Sequence, residues 1–315
     1  VNQGVELDGR KTCIVPGVHG HNASVVSLSE EGDGAPPYRA FWYYRGSIWT
    51  ALTDDGIHFR GKRKTNFLYK NLPRREDGTL RGNDVFHFSY DPWADRFLGT
   101  FKCFKLAHTP AGRQQFRRSF IIGESLNALD WTFHETPLRA DERDDRLAIE
   151  RAGGKVEGSW TELYGMPLFR YENVLIGLPW LFILNDGDGS RAPNVPFLAW
   201  SEDGGYAWKR PEPRRPFIPL QQEGVPDIGS CYTAATPPVR KGDALLFYIT
   251  RNPDDELVHV HPGPDIEPLG VGVATLRVDG FASLAAAGAG WLQSPPVELH
   301  PGKPAGDLVL NIDAA

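Results

Sequence analysis

One short pattern constrains this chain more than any other. Residues 196–208 read P-F-L-A-W-S-E-D-G-G-Y-A-W, a strand, a tight turn and the start of a second strand. Within it Ser201, Asp203, Gly205 and Trp208 are spaced S-x-D-x-G-x-x-W. Ser and Asp side chains cap the backbone N–H groups of such a turn, Gly supplies the positive φ, and the aromatic packs beneath the hairpin. The layout recurs at 47–59 (S-I-W-T-A-L-T-D-D-G-I-H-F) and at 270–281 (G-V-G-V-A-T-L-R-V-D-G-F), with a degraded copy at 119–133. Copies roughly 70–80 residues apart predict a radial repeat rather than a mixed fold.

Each copy follows an aromatic strand: 38–44 (Y-R-A-F-W-Y-Y), 96–104, 174–184 and 244–250. Before each of these lies a further strand, at 21–28, 83–90, 164–171 and 232–239, joined to it by turn-rich residues such as D-P-W-A-D or R-K-G-D. The unit is strand, turn, aromatic strand, strand, D-G turn, strand, a four-stranded propeller blade occurring four times. Residues 1–15 and 291–312 carry strand-like pattern outside the four units. A fifth blade built from both termini would close the ring and remove exposed edges; the alternative is a C-terminal piece that starts a separate β-sandwich or packs beneath the ring. The expectation is therefore an all-β, single-domain, five-bladed β-propeller. Segments 61–82, 137–159 and 251–269 read as long rim loops. Trp42, Trp49, Trp93 and Trp180 read as blade core.

Composition narrows the function. A net charge of −6, with no basic cluster beyond short runs such as 113–118, argues against nucleic acid as a main partner. Three scattered cysteines make neither a disulfide framework nor a metal site. No apolar run is long enough to span a bilayer, so no membrane partner is expected. The start V-N-Q-G-V-E-L suits a Met-trimmed cytosolic protein, slightly preferred, or a mature secreted one.

In a propeller the innermost strands line a channel and their beginnings open on the binding face. Three of the four units present a carboxylate there: Asp84, Glu162 and Asp227. Convergent carboxylates suit glycosidic cleavage, in which one protonates the leaving oxygen and another activates water or attacks the anomeric carbon. The same strand starts carry His19, His21, Asn22, Asn83, Tyr164 and Tyr232 as candidate sugar-binding groups. The acidic run 141–145 (D-E-R-D-D) reads as a solvated loop whose Asp145 could reach the channel mouth. His259 and His261 show no third ligand and read as loop residues. No cofactor is expected. Channel carboxylates could hold a structural Ca²⁺, although no motif demands one.

These blade motifs resemble the five-bladed propeller glycosidases of glycoside hydrolase families 32 and 43. The carriers are P-Y-R-A-F-W-Y (37–43), T-D-D-G-I-H-F (53–59), E-L-Y-G-M-P-L-F-R-Y-E (162–172), S-E-D-G-G-Y-A-W (201–208) and the 270–281 segment. The turn itself resembles the Asp box of sialidases, without an Arg triad or a Tyr–Glu pair at recognisable spacing. The glycosidase resemblance implies an Asp from blade one as nucleophile or base, an orienting Asp from blade two and a Glu acid from blade three. Asp84 and Glu162 match the last two roles. Blade one offers His21 and Asn22 where the Asp is expected, leaving Asp227 as the available base or nucleophile. Three functions follow: a glycoside hydrolase on a plant or microbial glycan, a polysaccharide lyase using His21 or Tyr164 as base, or a non-catalytic glycan-binding propeller.

Overall fold

The computed structural model describes residues 5–7, 10–12, 23–28, 38–44, 46–55, 58–68, 82–136, 138–185, 192–220, 229–252, 270–283 and 291. Contacts divide the chain into a large unit, Val1–Val278, and a small one, Asp279–Ala315. The large unit opens with a hairpin of β1 (Val5–Leu7) and β2 (Arg10–Thr12).

The first sheet is a four-stranded antiparallel meander of β3 (Ser24–Ser27), β4 (Tyr38–Tyr44), β5 (Ser47–Thr53) and β6 (Phe59–Leu68). Its last strand occupies much of the segment expected as a loop from Gly61, pairing with β5 through two register shifts. The second sheet is another meander, β7 (Gly82–Asp91), β8 (Arg96–His108), β9 (Gln114–Ser125) and β10 (Thr132–Glu135). The two sheets bury an aromatic layer between them. Phe41 stacks on Phe88 at 4.5 Å and Phe67 on Phe101 at 5.1 Å, with Trp131 set edge-on to Phe41, Phe88 and Phe101. Gly99 and Gly123 face each other across β8 and β9, and the Phe101 ring lies over both. A Cβ at either would come within 2.7 or 2.6 Å of that ring.

The third unit departs from the expected four straight strands. Its first strand is broken into β11 (Trp160–Gly165) and β12 (Leu168–Tyr171), its second into β13 (Val174–Gly177) and β14 (Trp180–Leu184), its third into β15 (Asn194–Pro196) and β16 (Ala199–Ser201). The result is two three-stranded sheets, β11-β14-β15 and β12-β13-β16. Pro167 and Pro179 cause the first two breaks, since neither can donate to a ladder. Their carbonyls keep the strands together across the bend, accepting from Leu178 and Phe197 at 2.8 and 2.9 Å. In the fourth unit β17 (Ser230–Thr233) and β18 (Val239–Lys241) pair with opposite ends of β19 (Ala244–Asn252), flanked by β20 (Gly270–Arg277). The segments expected to form a fifth blade lie mostly outside the described residues.

The recurrent turns close as their composition dictates. Asp203 Oδ1 accepts from the Ser201 hydroxyl and from the N–H groups of Tyr206 and Ala207, while Trp208 Nε1 donates to Gly205 O at 2.9 Å. In the degraded copy Asn127 Oδ1 holds the N–H groups of Leu129 and Asp130, and Trp131 Nε1 reaches Ala128 O. In the first copy Asp55 accepts from Thr53 and from the His58 N–H.

Two expectations fail. The segment 137–159 contains the helix α1 (Glu142–Arg151) rather than only loop, so a helix interrupts an otherwise all-β fold. Asp141 caps α1 and forms a reciprocal capping box with Asp144. The acidic run is also not solvated: Asp144 and Asp145 are buried. Arg210 grips Asp144 through two contacts of 2.6 and 2.8 Å, and Arg214 adds a third at 3.0 Å. Arg214 also holds Asp141, and together with the backbone N–H groups of the first turn it outweighs burial and lowers the Asp141 carboxyl below its ordinary range. The second failure is Trp93, read as core but 62% exposed on the turn after β7.

Candidate functional site

Neighbouring units touch through their first and second strands. The Phe88 N–H in β7 donates to Ser24 Oγ in β3, Thr100 Oγ1 in β8 donates to the Met166 carbonyl between β11 and β12 at 2.8 Å, and Trp180 Nε1 in β14 donates to Thr233 Oγ1 in β17 at 3.0 Å. Two candidate carboxylates stand at the starts of such strands. Asp84 is the third residue of β7 and Glu162 the third of β11, the same position along each strand. Asn83 precedes Asp84 in β7. His19, His21, Asn22 and Asp227 lie outside the described residues, as do the side chains of Asn83 and Asp84.

Glu162 is buried, and each carboxylate oxygen has a partner. Arg118 Nη1 lies 2.5 Å from Oε2, and Trp160 Nε1 donates to Oε1 at 3.1 Å. Strand alternation explains this grouping. Trp160, Glu162 and Tyr164 project from one face of β11, and Arg118 comes from β9 of the preceding sheet. The guanidinium sits 4.9 Å from the Phe182 ring centroid, 5.7 Å from Tyr164 and 6.0 Å from Phe104. Lys102 Nζ lies 4.3 Å from the Tyr164 centroid and is itself buried. Glu162 thus stands in an aromatic enclosure with two cations, an arrangement able to bind polar hydroxyl groups.

The opposite face of β11 explains Asp145, expected as a mouth residue. Its Oδ1 accepts from Thr161 N and Thr161 Oγ1 at 2.8 and 2.9 Å, and Arg117 Nη2 approaches the same oxygen at 2.6 Å. Arg117 also donates to the Thr161 carbonyl. Asp145 therefore ties α1 to the back of the strand that bears Glu162, and is enclosed rather than open. Consecutive Arg117 and Arg118 point to opposite faces of β9 and hold the two acids separately.

Along the same band Tyr232 packs edge-on to Trp180 at 5.1 Å and its hydroxyl accepts from Asn194 Nδ2 at 2.8 Å. Burial, together with Tyr164 and Cys231 nearby, pushes the Tyr232 phenol up. No sequence signal singles out His87, which stands between Phe86 and Phe88 in β7. Its ring packs edge-on to Trp180 at 4.6 Å, and its Cε1 lies 2.6 Å from where a Gly165 Cβ would stand. Its Nδ1 is 3.3 Å from Thr100 Oγ1. The Thr100 proton goes to Met166 O, so the hydroxyl can only accept from the ring and Nδ1 carries the hydrogen. Burial pushes His87 down to about 3. Arg118 and Lys102 were also missed; alternation along β8 and β9 was the signal that could have found them.

Among the described residues no group of three or more His, Cys, Asp or Glu side chains could hold a metal ion. No helix among them is long and apolar enough to cross a membrane.

Comparison with known proteins is distant. No protein-family profile matches the chain, and no curated protein matches it in sequence. Solved structures do align. One is the Bombyx mori GH32 beta-fructofuranosidase BmSUC1, at 8% identity and TM-score 0.43, covering 77% of this chain and 44% of that one. A structure described with the GH130 family, whose glycoside hydrolases target beta-1,2 mannosidic linkages in Candida mannan, aligns at 12% identity and TM-score 0.43 over 82% of this chain and 67% of its own. A glycosyl hydrolase from Bacteroides ovatus aligns at 11% identity and TM-score 0.44, over 81% and 66%. The chain thus spans under half the length of the Bombyx mori enzyme. Matches at this level establish neither family nor activity.

Proposed function

We propose that this chain is a glycoside hydrolase on a five-bladed propeller, acting on a plant or microbial glycan. Glu162 is its proton donor, Asp84 the carboxylate that orients the sugar and tunes Glu162, and Asp227 the base or nucleophile. The observation that carries this reading is Glu162 itself. It is a buried carboxylate near the beginning of the first strand of its unit, at the same strand position as Asp84, enclosed by Trp160, Tyr164 and Phe182. Buried carboxyl groups in aromatic surroundings are the groups that glycosidases use for proton transfer. In this reading Arg118 holds the Glu162 carboxylate in place until a sugar enters; the guanidinium then withdraws from Oε2, the carboxylate takes a proton from water, and that proton passes to the leaving oxygen.

A second reading has its own support. With Arg118 and Trp160 engaging both oxygens, the site also suits sugar-hydroxyl binding without turnover. Mass spectrometry of products from a panel of plant and bacterial oligosaccharides, wild type beside Glu162→Gln, separates the two. Products that gain one water and vanish in the variant support the hydrolase. Binding without products in the wild type supports the second reading, and unsaturated products without water gain would transfer the chemistry to a lyase.

A further inference from the structure

The first strands of the units have a second set of ends, away from Glu162. There the chain leaves β3 at Val25–Ser27, β7 at the Pro92–Trp93 turn, β12 at Arg170–Glu172 and the fourth unit at Pro237–Arg240, and these four segments surround a cavity of about 820 Å³. All four consecutive units contribute to it. Its wall is aromatic: Tyr38, Tyr90, Trp93 and Tyr248 line it. Trp93 is 62% exposed and Tyr248 46%.

Exposed aromatic rings at a strand end are ordinarily mobile and unfavourable to leave in water, but this Trp93 is held. Its N–H donates to the fully buried Asp91 carboxylate at 3.2 Å. Arg170 grips the same carboxylate through contacts of 2.9 and 2.6 Å, and its guanidinium lies 5.4 Å from the Trp93 ring centroid. One buried acid therefore fixes both the backbone of the tryptophan and the cation against its ring. The Tyr90 hydroxyl is in turn engaged by Asp95 at 2.5 Å.

Charge decides the ligand class. Among the described lining residues, the Arg170 charge is matched by Asp91 and Arg240 is offset by Glu172. The described lining is close to neutral, so it has little to offer a phosphate, a polyuronate or a cation. A rigid, exposed aromatic plane with a few polar groups at its edge suits the C–H face of a sugar ring. We propose that this cavity is a second carbohydrate site, separate from the Glu162 end, that holds a neutral oligosaccharide against Trp93. It rests on the glycan reading of the chain, but not on Glu162 being catalytic.

Affinity electrophoresis of the full chain tests it, in gels cast with mannan, fructan, arabinan or β-glucan, and with polygalacturonate as the acidic probe. The expected result is retardation by at least one neutral polysaccharide, reduced at least about tenfold in Trp93→Ala and partly kept in Trp93→Phe. Trp93 is exposed, so its loss leaves the core intact, and near-ultraviolet dichroism checks that. Retardation that survives Trp93→Ala, that appears only with polygalacturonate, or that fails with every neutral probe would overturn the proposal. Turnover is read separately: a chain that cleaves but is not retarded loses only the second site, and one that is retarded through Trp93 but does not cleave loses only the hydrolase.

Discussion

At the residue scale, the most consequential side chains are polar groups sealed between apolar sheets. Glu162, Asp144 and Asp145 each meet an arginine, as buried charges must. His87 takes the other course and stays neutral. Its proton binding makes stability depend on pH with a definite sign. The folded imidazole titrates at about 3, against an unfolded value of 6.5, so the unfolded state binds more protons between those values. The His87 contribution is complete above pH 6.5 and is lost as pH falls through that window, at about 1.4 kcal/mol per pH unit. Urea unfolding at pH 7, 5.5 and 4.5 should show this slope in wild type and a flatter one in His87→Gln. Equal slopes would mean that His87 is not held neutral by burial. None of this was legible beforehand, because F-H-F in a strand does not say that Thr100 and Trp180 from other strands will close on the ring.

At the scale of elements, the strands follow from alternation and the turns from Ser, Asp and Gly. Y-R-A-F-W-Y-Y and S-I-W-T-A-L-T pair residue for residue as β4 and β5, Tyr38 opposite Thr53 through Tyr44 opposite Ser47. The Gly99–Gly123 pair shows how one missing side chain shapes a sheet. Gly99→Ala should cost about 1–3 kcal/mol, since its Cβ would strike the Phe101 ring. In a Phe101→Leu background the same change should cost less, and a double-mutant cycle by urea titration measures the difference. Additive losses would show that the ring does not need the glycine. α1 escaped the sequence reading for a physical reason. Its buried face is made of Asp144, Asp145 and Ala148, so it lacks the apolar stripe by which helices are recognised. Its capping box, D-x-x-D, was visible, but the arginines that make its acids buriable come from 117, 210 and 214.

At the scale of the molecule, four antiparallel units succeed one another among the described residues, and first or second strands join each unit to the next. Cys103 and Cys231 lie inside this packing, and burial pushes the Cys231 thiol up to about 12. Both should resist alkylation at pH 8 in the native protein and react together across the urea transition, as peptide mapping would show. Early labelling of Cys231 alone would indicate that the fourth unit opens independently. What the sequence by itself determined was the repeat: the meander of the first two units, the aromatic strands, the turn chemistry and Glu162 near the beginning of a strand. These follow from local rules, the two-residue period of a strand and the φ requirements of its turns. Only the tertiary structure decided which partners meet: Arg118 on Glu162, Arg117 on Asp145, His87 against Trp180, and Trp93 standing exposed over Arg170 rather than in the core. The two arginine pairs alone join residues 44 and 28 positions apart on different elements. A one-dimensional pattern carries no term for the face that a neighbouring sheet will present.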